Sequence, residues 1–182
     1  TATRALRTLS AGLMAGMTSP ARPWFRLTVA DEQVAQVHAV RVWSAKVSRL
    51  MLDVFQRSNL YRALHVIYEE LGAFGTGAIL VLPDFDDVIR CYPLTAGEYA
   101  VSADYRGQVD TLYREFDMTV GQLVGEFGEE NVSDSVRSMY RNKNLDKWVT
   151  VIHAIEPRAS FDTEKRDAAN MPWRSVHFEA GG

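Results

Sequence analysis

Gly75-Thr76-Gly77 is the nearest approach in this chain to a phosphate-gripping loop, and its placement is wrong for one. Such a loop must open a helix, so that free N–H groups at the helix start can point at the anion. Here the glycines follow a helical stretch and precede an extended one, which makes them a connector. Asp84, Asp86 and Asp87 offer the oxygens a hard cation wants. They lack the glycine and distal glutamate of a calcium loop, and read as a solvated hairpin turn. His38, His65, His153 and His177 lie far from one another and from Cys91 in the sequence, so no metal-ligand spacing results. His65, with Glu69 one turn on, is expected to form a surface pair, and His153 to be a hydrogen-bonded residue flanking a core strand. No serine occupies a G-x-S-x-G elbow. Arg41, Lys46, Arg49 and Arg57 spread over nearly half of one helix with Asp53 among them, which favours a solvated face over a nucleic-acid surface. Trp24, Trp43, Trp148 and Trp173 are not interleaved with a basic stripe, and read as core or interface. No catalytic, cofactor-binding or metal-binding set emerges, and no cofactor is expected.

The elements that would position these residues divide by period. With 182 residues, 47% hydrophobic and 24% charged, the composition is that of a globular domain and not of a disordered or low-complexity chain. The net charge of −3, with both signs scattered, advertises no basic patch. The single Cys91 excludes an intrachain disulfide and suits a reducing compartment, and the apolar run Ala78 to Leu82 is far too short to span a membrane. Residues 1–72 read as helical and 73–182 as β-rich, with helices at about 120–141 inside the second part. No linker separates the parts, so one α+β domain over 1–182 is expected, its N-terminal helices packed on a mostly antiparallel sheet. The first helix ends by Met17, before Ser19-Pro20 and Arg22-Pro23. Asp31 announces the second, whose stripe Val40, Trp43, Val47, Leu50 and Val54 is expected to face the core. Asn59 is expected to cap the third, with Tyr61, Leu64, Tyr68 and Leu71 inward and Gly72 at its left-handed end. Strands follow at 78–82, 88–92, 98–102, 109–116, 148–155 and 171–178. Thr119-Val120-Gly121-Gln122 is a capping box. An N-terminus without Met and an end at Gly181-Gly182 point to a piece of a longer polypeptide.

The segment Leu9-Ser10-Ala11-Gly12-Leu13-Met14-Ala15-Gly16-Met17-Thr18-Ser19-Pro20-Ala21-Arg22-Pro23-Trp24-Phe25-Arg26-Leu27 resembles a hallmark stretch of the head-to-tail connecting, or portal, proteins of short-tailed bacteriophages. Further likenesses follow in family order. They comprise Asn59-Leu60-Tyr61-Arg62, the Leu71 to Ala78 glycine-rich entry to a strand, Pro93 to Tyr99, Gly107 to Phe116, Thr119 to Leu123 and Val151 to Arg158.

The resemblance implies a structural subunit of a ring, commonly of twelve copies, through which viral DNA is packaged and ejected. It implies capsid and scaffolding proteins, terminase and tail adaptors as partners. Double-stranded DNA would pass non-specifically, with no membrane involved. The location implied is the portal vertex of the virion, after assembly in the host cytoplasm. No enzymatic activity is implied, and mild acidity suits a conduit, because each tight phosphate contact would add friction. These 182 residues resemble the outer wing of such a subunit, where Trp24 and Phe25 would either anchor a neighbour or plug the domain's own core. The rival readings are a non-viral interaction domain, or part of an enzyme completed elsewhere, for which His153 and Asp110 are the positions to test. Replacing Thr119 by Ala should remove the capping box and lower unfolding free energy by about 1 kcal/mol, read from denaturant midpoints.

Overall fold

The computed structural model describes residues 1–181, which form two compact units, Thr1–Ala96 and Gly97–Gly182. The fold is α+β, with antiparallel pairing throughout both sheets. The first unit contains α1 (Ala2–Met17), α2 (Glu32–Gln36), α3 (His38–Arg57), α4 (Leu60–Phe74), β1 (Ala78–Asp84) and β2 (Val88–Leu94). The helices give way to strands after Phe74, and the β1–β2 hairpin lies in the same compact unit as the helices before it. The reason is α4, which packs Leu60 and Ala63 against Cys91, with Leu64, Ile79 and Ile89 around them. A two-stranded ribbon cannot stand alone in water, and α4 supplies its missing apolar face.

Several helical expectations change in three dimensions. Asp31 caps α2 by accepting from the N–H groups of Gln33 and Val34, but Val37 is extended, so α3 is a separate helix beginning at His38. Ser44 and Ser48 are the buried residues of α3, whereas Trp43 is 60% and Leu50 54% exposed. The extended segment 20–29 lies along the small-residue side of α3, where Leu27 N–H donates to Ser48 Oγ at 2.8 Å and Gln56 Nε2 to the Pro20 carbonyl at 2.5 Å. Small side chains let a backbone approach closely, so polar Ser44 and Ser48 are covered where the larger apolar residues are not. Trp24 and Phe25 plug this unit's own interior, with Trp24 stacked 6.1 Å from Phe55 and its Nε1–H donating to Tyr61 Oη.

On α4, Glu70 is buried while Leu71 is exposed. Asn59 does not cap the helix with its side chain. Its amide donates to the Cys91 carbonyl at 2.7 Å and accepts from the Cys91 N–H at 2.8 Å. The left-handed terminus of α4 is Gly75, at φ 74°, and not Gly72, whose missing Cβ makes room for Leu6 and Leu9 of α1. Beyond Gly75 the chain enters β1, one strand of a two-stranded hairpin.

The second unit is a four-stranded meander in the order β3 (Tyr99–Ala103), β4 (Val109–Thr119), β5 (Trp148–Pro157) and β6 (Trp173–Glu179). Between β4 and β5 lie α5 (Val120–Phe127) and α6 (Asp134–Arg141), the helical insertion expected at 120–141. Thr119 Oγ1 accepts from Gln122 N–H and Gln122 Oε1 from Thr119 N–H, completing the capping box. Val120, Leu123, Val124, Val132 and Val136 of the insertion bury Val151 of β5 and form this unit's core. Ser133 caps α6 and binds Glu179 of β6 through both its N–H and its hydroxyl, tying the insertion to the far strand.

Two backbone sites make opposite predictions. Gly75 has nothing within 4 Å of an added Cβ, so Gly75→Val meets only the left-handed conformation and should cost about 2 kcal/mol. Val88, at φ 71° beside the hairpin turn, is a β-branched residue held in that same region, and Val88→Gly should stabilise by about 1 kcal/mol. Urea unfolding of both variants measures the two signs.

Candidate functional site

A row of ionisable side chains crosses the second unit's sheet. Antiparallel register sets Arg114 of β4 opposite His153 of β5, and His153 opposite His177 of β6. Alternation along each strand puts all three on the face that α5 and α6 partly cover. The imidazoles stack at 4.0 Å with planes 11° apart, and Phe127 of α5 lies 5.0 Å from the His177 ring. The Arg114 guanidinium sits 4.3 Å over the Phe116 ring. His153 is 5% exposed.

Arg114 Nε donates to His153 Nδ1 at 3.0 Å, and Ser175 Oγ lies 2.8 Å from His153 Nε2. Such serine–histidine proximity invites comparison with a nucleophile and its base. The proton arrangement contradicts that role. An arginine can only donate, so Nδ1 is unprotonated and the neutral ring carries its hydrogen on Nε2. Nε2 therefore donates to Ser175 and has no lone pair with which to take the hydroxyl proton. In a hydrolytic triad the Nδ1 partner is a carboxylate acceptor, which sets the opposite tautomer. Burial, then His177 and Arg114, lower the His153 pKa from 6.5 to about 4, and burial followed by Arg114 lowers that of His177. The two neutral imidazoles and the Arg114 cation form a structural lock.

The other chemistry-bearing residues remain apart. Gly75-Thr76-Gly77 leads out of a helix, as its sequence position requires. Asp84 Oδ1 accepts from the N–H groups of Asp86 and Asp87, and these bonds hold its carboxyl below the ordinary range. His65 and Glu69 are 3.8 Å apart on the surface of α4. Cys91 is buried, and burial pushes its thiol pKa up, away from nucleophilic reactivity. Asp110 accepts from Thr111 Oγ1, and its carbonyl from Trp173 Nε1. Among the described residues no group of three or more His, Cys, Asp or Glu could hold a metal ion, and no helix is long and apolar enough to cross a membrane.

What sequence reasoning missed is a surface. Trp43, Lys46, Leu50 and Arg57 of α3 fall within about 60° of one another at 100° per residue, on the side away from segment 20–29. The signal was available in Ser44, Ala45 and Ser48, small residues at helical spacing that mark where another backbone can lie. Nor are the charges scattered evenly. Residues 1–62 hold nine Lys and Arg but only Asp31, Glu32 and Asp53 in opposition, a net of +6, whereas residues 97–182 hold ten against fifteen carboxylates, a net of −5. No cation in residues 1–62 has an ion-pair partner among the described residues, while Arg137, Arg141, Lys165 and Arg174 all do.

Comparison with known proteins gives a consistent result. The profile of the bacteriophage head to tail connecting protein family matches residues 1–182. The sequence is 60% identical over 181 residues to a probable portal protein of Bordetella phage BPP-1, covering 100% of this chain and 33% of that protein. It is 48% identical over 182 residues to the portal protein of Salmonella phage epsilon15, with the same coverages of 100% and 33%. The chain thus spans about a third of the length of the curated relatives it matches.

The lock has a pH signature. Because the folded-state pKa of His153 lies below its unfolded value, the unfolded chain binds the extra proton between pH 6.5 and about 4, so stability falls as pH falls through that window. From pH 7 to 4.5 this loss should be on the order of 2 kcal/mol. His153→Asn, which keeps an acceptor for Arg114 but cannot titrate, should narrow the difference between denaturant melts at the two pH values.

Proposed function

The chain belongs to the bacteriophage head to tail connecting protein family, and from that membership we propose that it is part of a structural portal subunit. Full-length copies close into a ring at one vertex of the virion, and double-stranded DNA passes through the ring during packaging and ejection. The profile match over all 182 residues carries this reading. Residues 1–182 act together as the outer wing, a building block whose work is shape and contact. The ring has twelve copies, assembles in the host cytoplasm, and meets capsid and scaffolding proteins, the terminase and tail adaptors. No cofactor or bond-making side chain is required. His153 and Ser175 support this, since their only close approach has the wrong proton arrangement for hydrolysis.

Exposed large side chains point the same way: Trp43, Phe74, Trp148 and Trp173 are all more than half exposed. Electron microscopy of the full-length protein should show closed rings with an axial channel. A full-length protein that stays monomeric, or stacks into open filaments, would overturn the proposal.

A further inference from the structure

We infer that the outward face of α3, built on Trp43, Lys46, Leu50 and Arg57, docks onto residues 97–181 of a second copy of this chain. The inference rests on the ring reading and specifies its contact. Trp43 and Leu50 are 60% and 54% exposed, side by side on a helix whose other face is already covered by segment 20–29. A large aromatic and an aliphatic residue, fringed by Lys46 and Arg57 with Asp53 beside them, form the apolar centre and polar rim of a protein interface. A phosphate backbone would leave that centre exposed.

Charge selects the occupant. The +6 of residues 1–62 has no ion-pair partner within the described chain; residues 63–96 carry −4, most of it already held by His65, Arg90 and backbone N–H groups, and the larger surplus is the −5 of residues 97–182. Contact between two copies of the basic face would set like charges against each other. A head-to-tail contact sets opposite charges together, and it is the kind of contact that closes a ring, because each subunit shows one patch to each neighbour.

Lys46 is the single lysine of residues 1–96, which makes it an unambiguous reporter. Rings would be assembled from full-length subunits of natural abundance mixed with subunits labelled with nitrogen-15, then treated with a zero-length carbodiimide reagent that joins amines to carboxylates. Peptides joining Lys46 to an Asp or Glu of 97–181 should appear with one labelled and one unlabelled half. Links in the unmixed forms alone, links to carboxylates outside 97–181, or no link at Lys46 would overturn the inference while leaving the ring intact. In parallel, the double change Trp43→Ser with Leu50→Ser should lower ring yield roughly tenfold at fixed subunit concentration. It should leave the melting temperature of the full-length subunit within about 2 °C of the parent, because both side chains are exposed. Unchanged ring yield, or intact rings that have lost DNA binding instead, would also overturn it. If the unaltered full-length chain forms no rings, the ring reading itself falls and this contact with it.

Discussion

Two hydrogen bonds between one side-chain amide and one backbone residue hold the first unit in register. Asn59 donates to the carbonyl of Cys91 and accepts from its N–H, replacing the neighbour strand that this middle residue of β2 lacks on its open edge. Eleven residues along the same helix, Glu70 accepts from the N–H of Ala96. With α4 fastened to the hairpin strand and its exit, Leu60 and Ala63 are delivered onto Cys91, and Gly75 must reverse the chain within one residue. A backbone group taken out of water needs a partner, and here that requirement sets the angle between a helix and a ribbon. The edge is sealed by the same amide that aligns it.

The second unit obeys a different rule. Its strands follow one another as neighbours, so the sheet could be read from alternation and turn residues alone. Tyr113, Glu115 and Asp117 are exposed, while Leu112, Arg114 and Phe116 are half-buried, as period-two spacing required. Thr119 and Gln122 likewise announced their capping box, because that motif is local. The Arg114–His153–His177 row was not legible. It joins residues 39 and 24 positions apart, and only the pairing register decides that they share a face. The same limit explains α3. Periodicity identifies an apolar stripe, but not whether its cover comes from the same unit. Trp43 and Leu50 satisfy every criterion for a core position except having something to pack against.

Function followed a similar division. The family likeness was readable from a series of short segments. Whether a serine beside a histidine is chemistry or architecture was decided by an arginine on a third strand. Shape and charge remain as the working properties of this part. Its apolar helix face, its basic first third and its acidic meander are the features on which the proposed assembly role rests.

The locked imidazole also bears on how such a sequence can drift. Arg114, His153 and Ser175 sit on three different strands, yet the donor, the acceptor and the tautomer between them form one agreement. Exchanging the arginine for a carboxylate would turn the ring's proton to the other nitrogen and leave the serine facing a lone pair. A change at any one of the three positions therefore reassigns the hydrogen-bond roles of the other two.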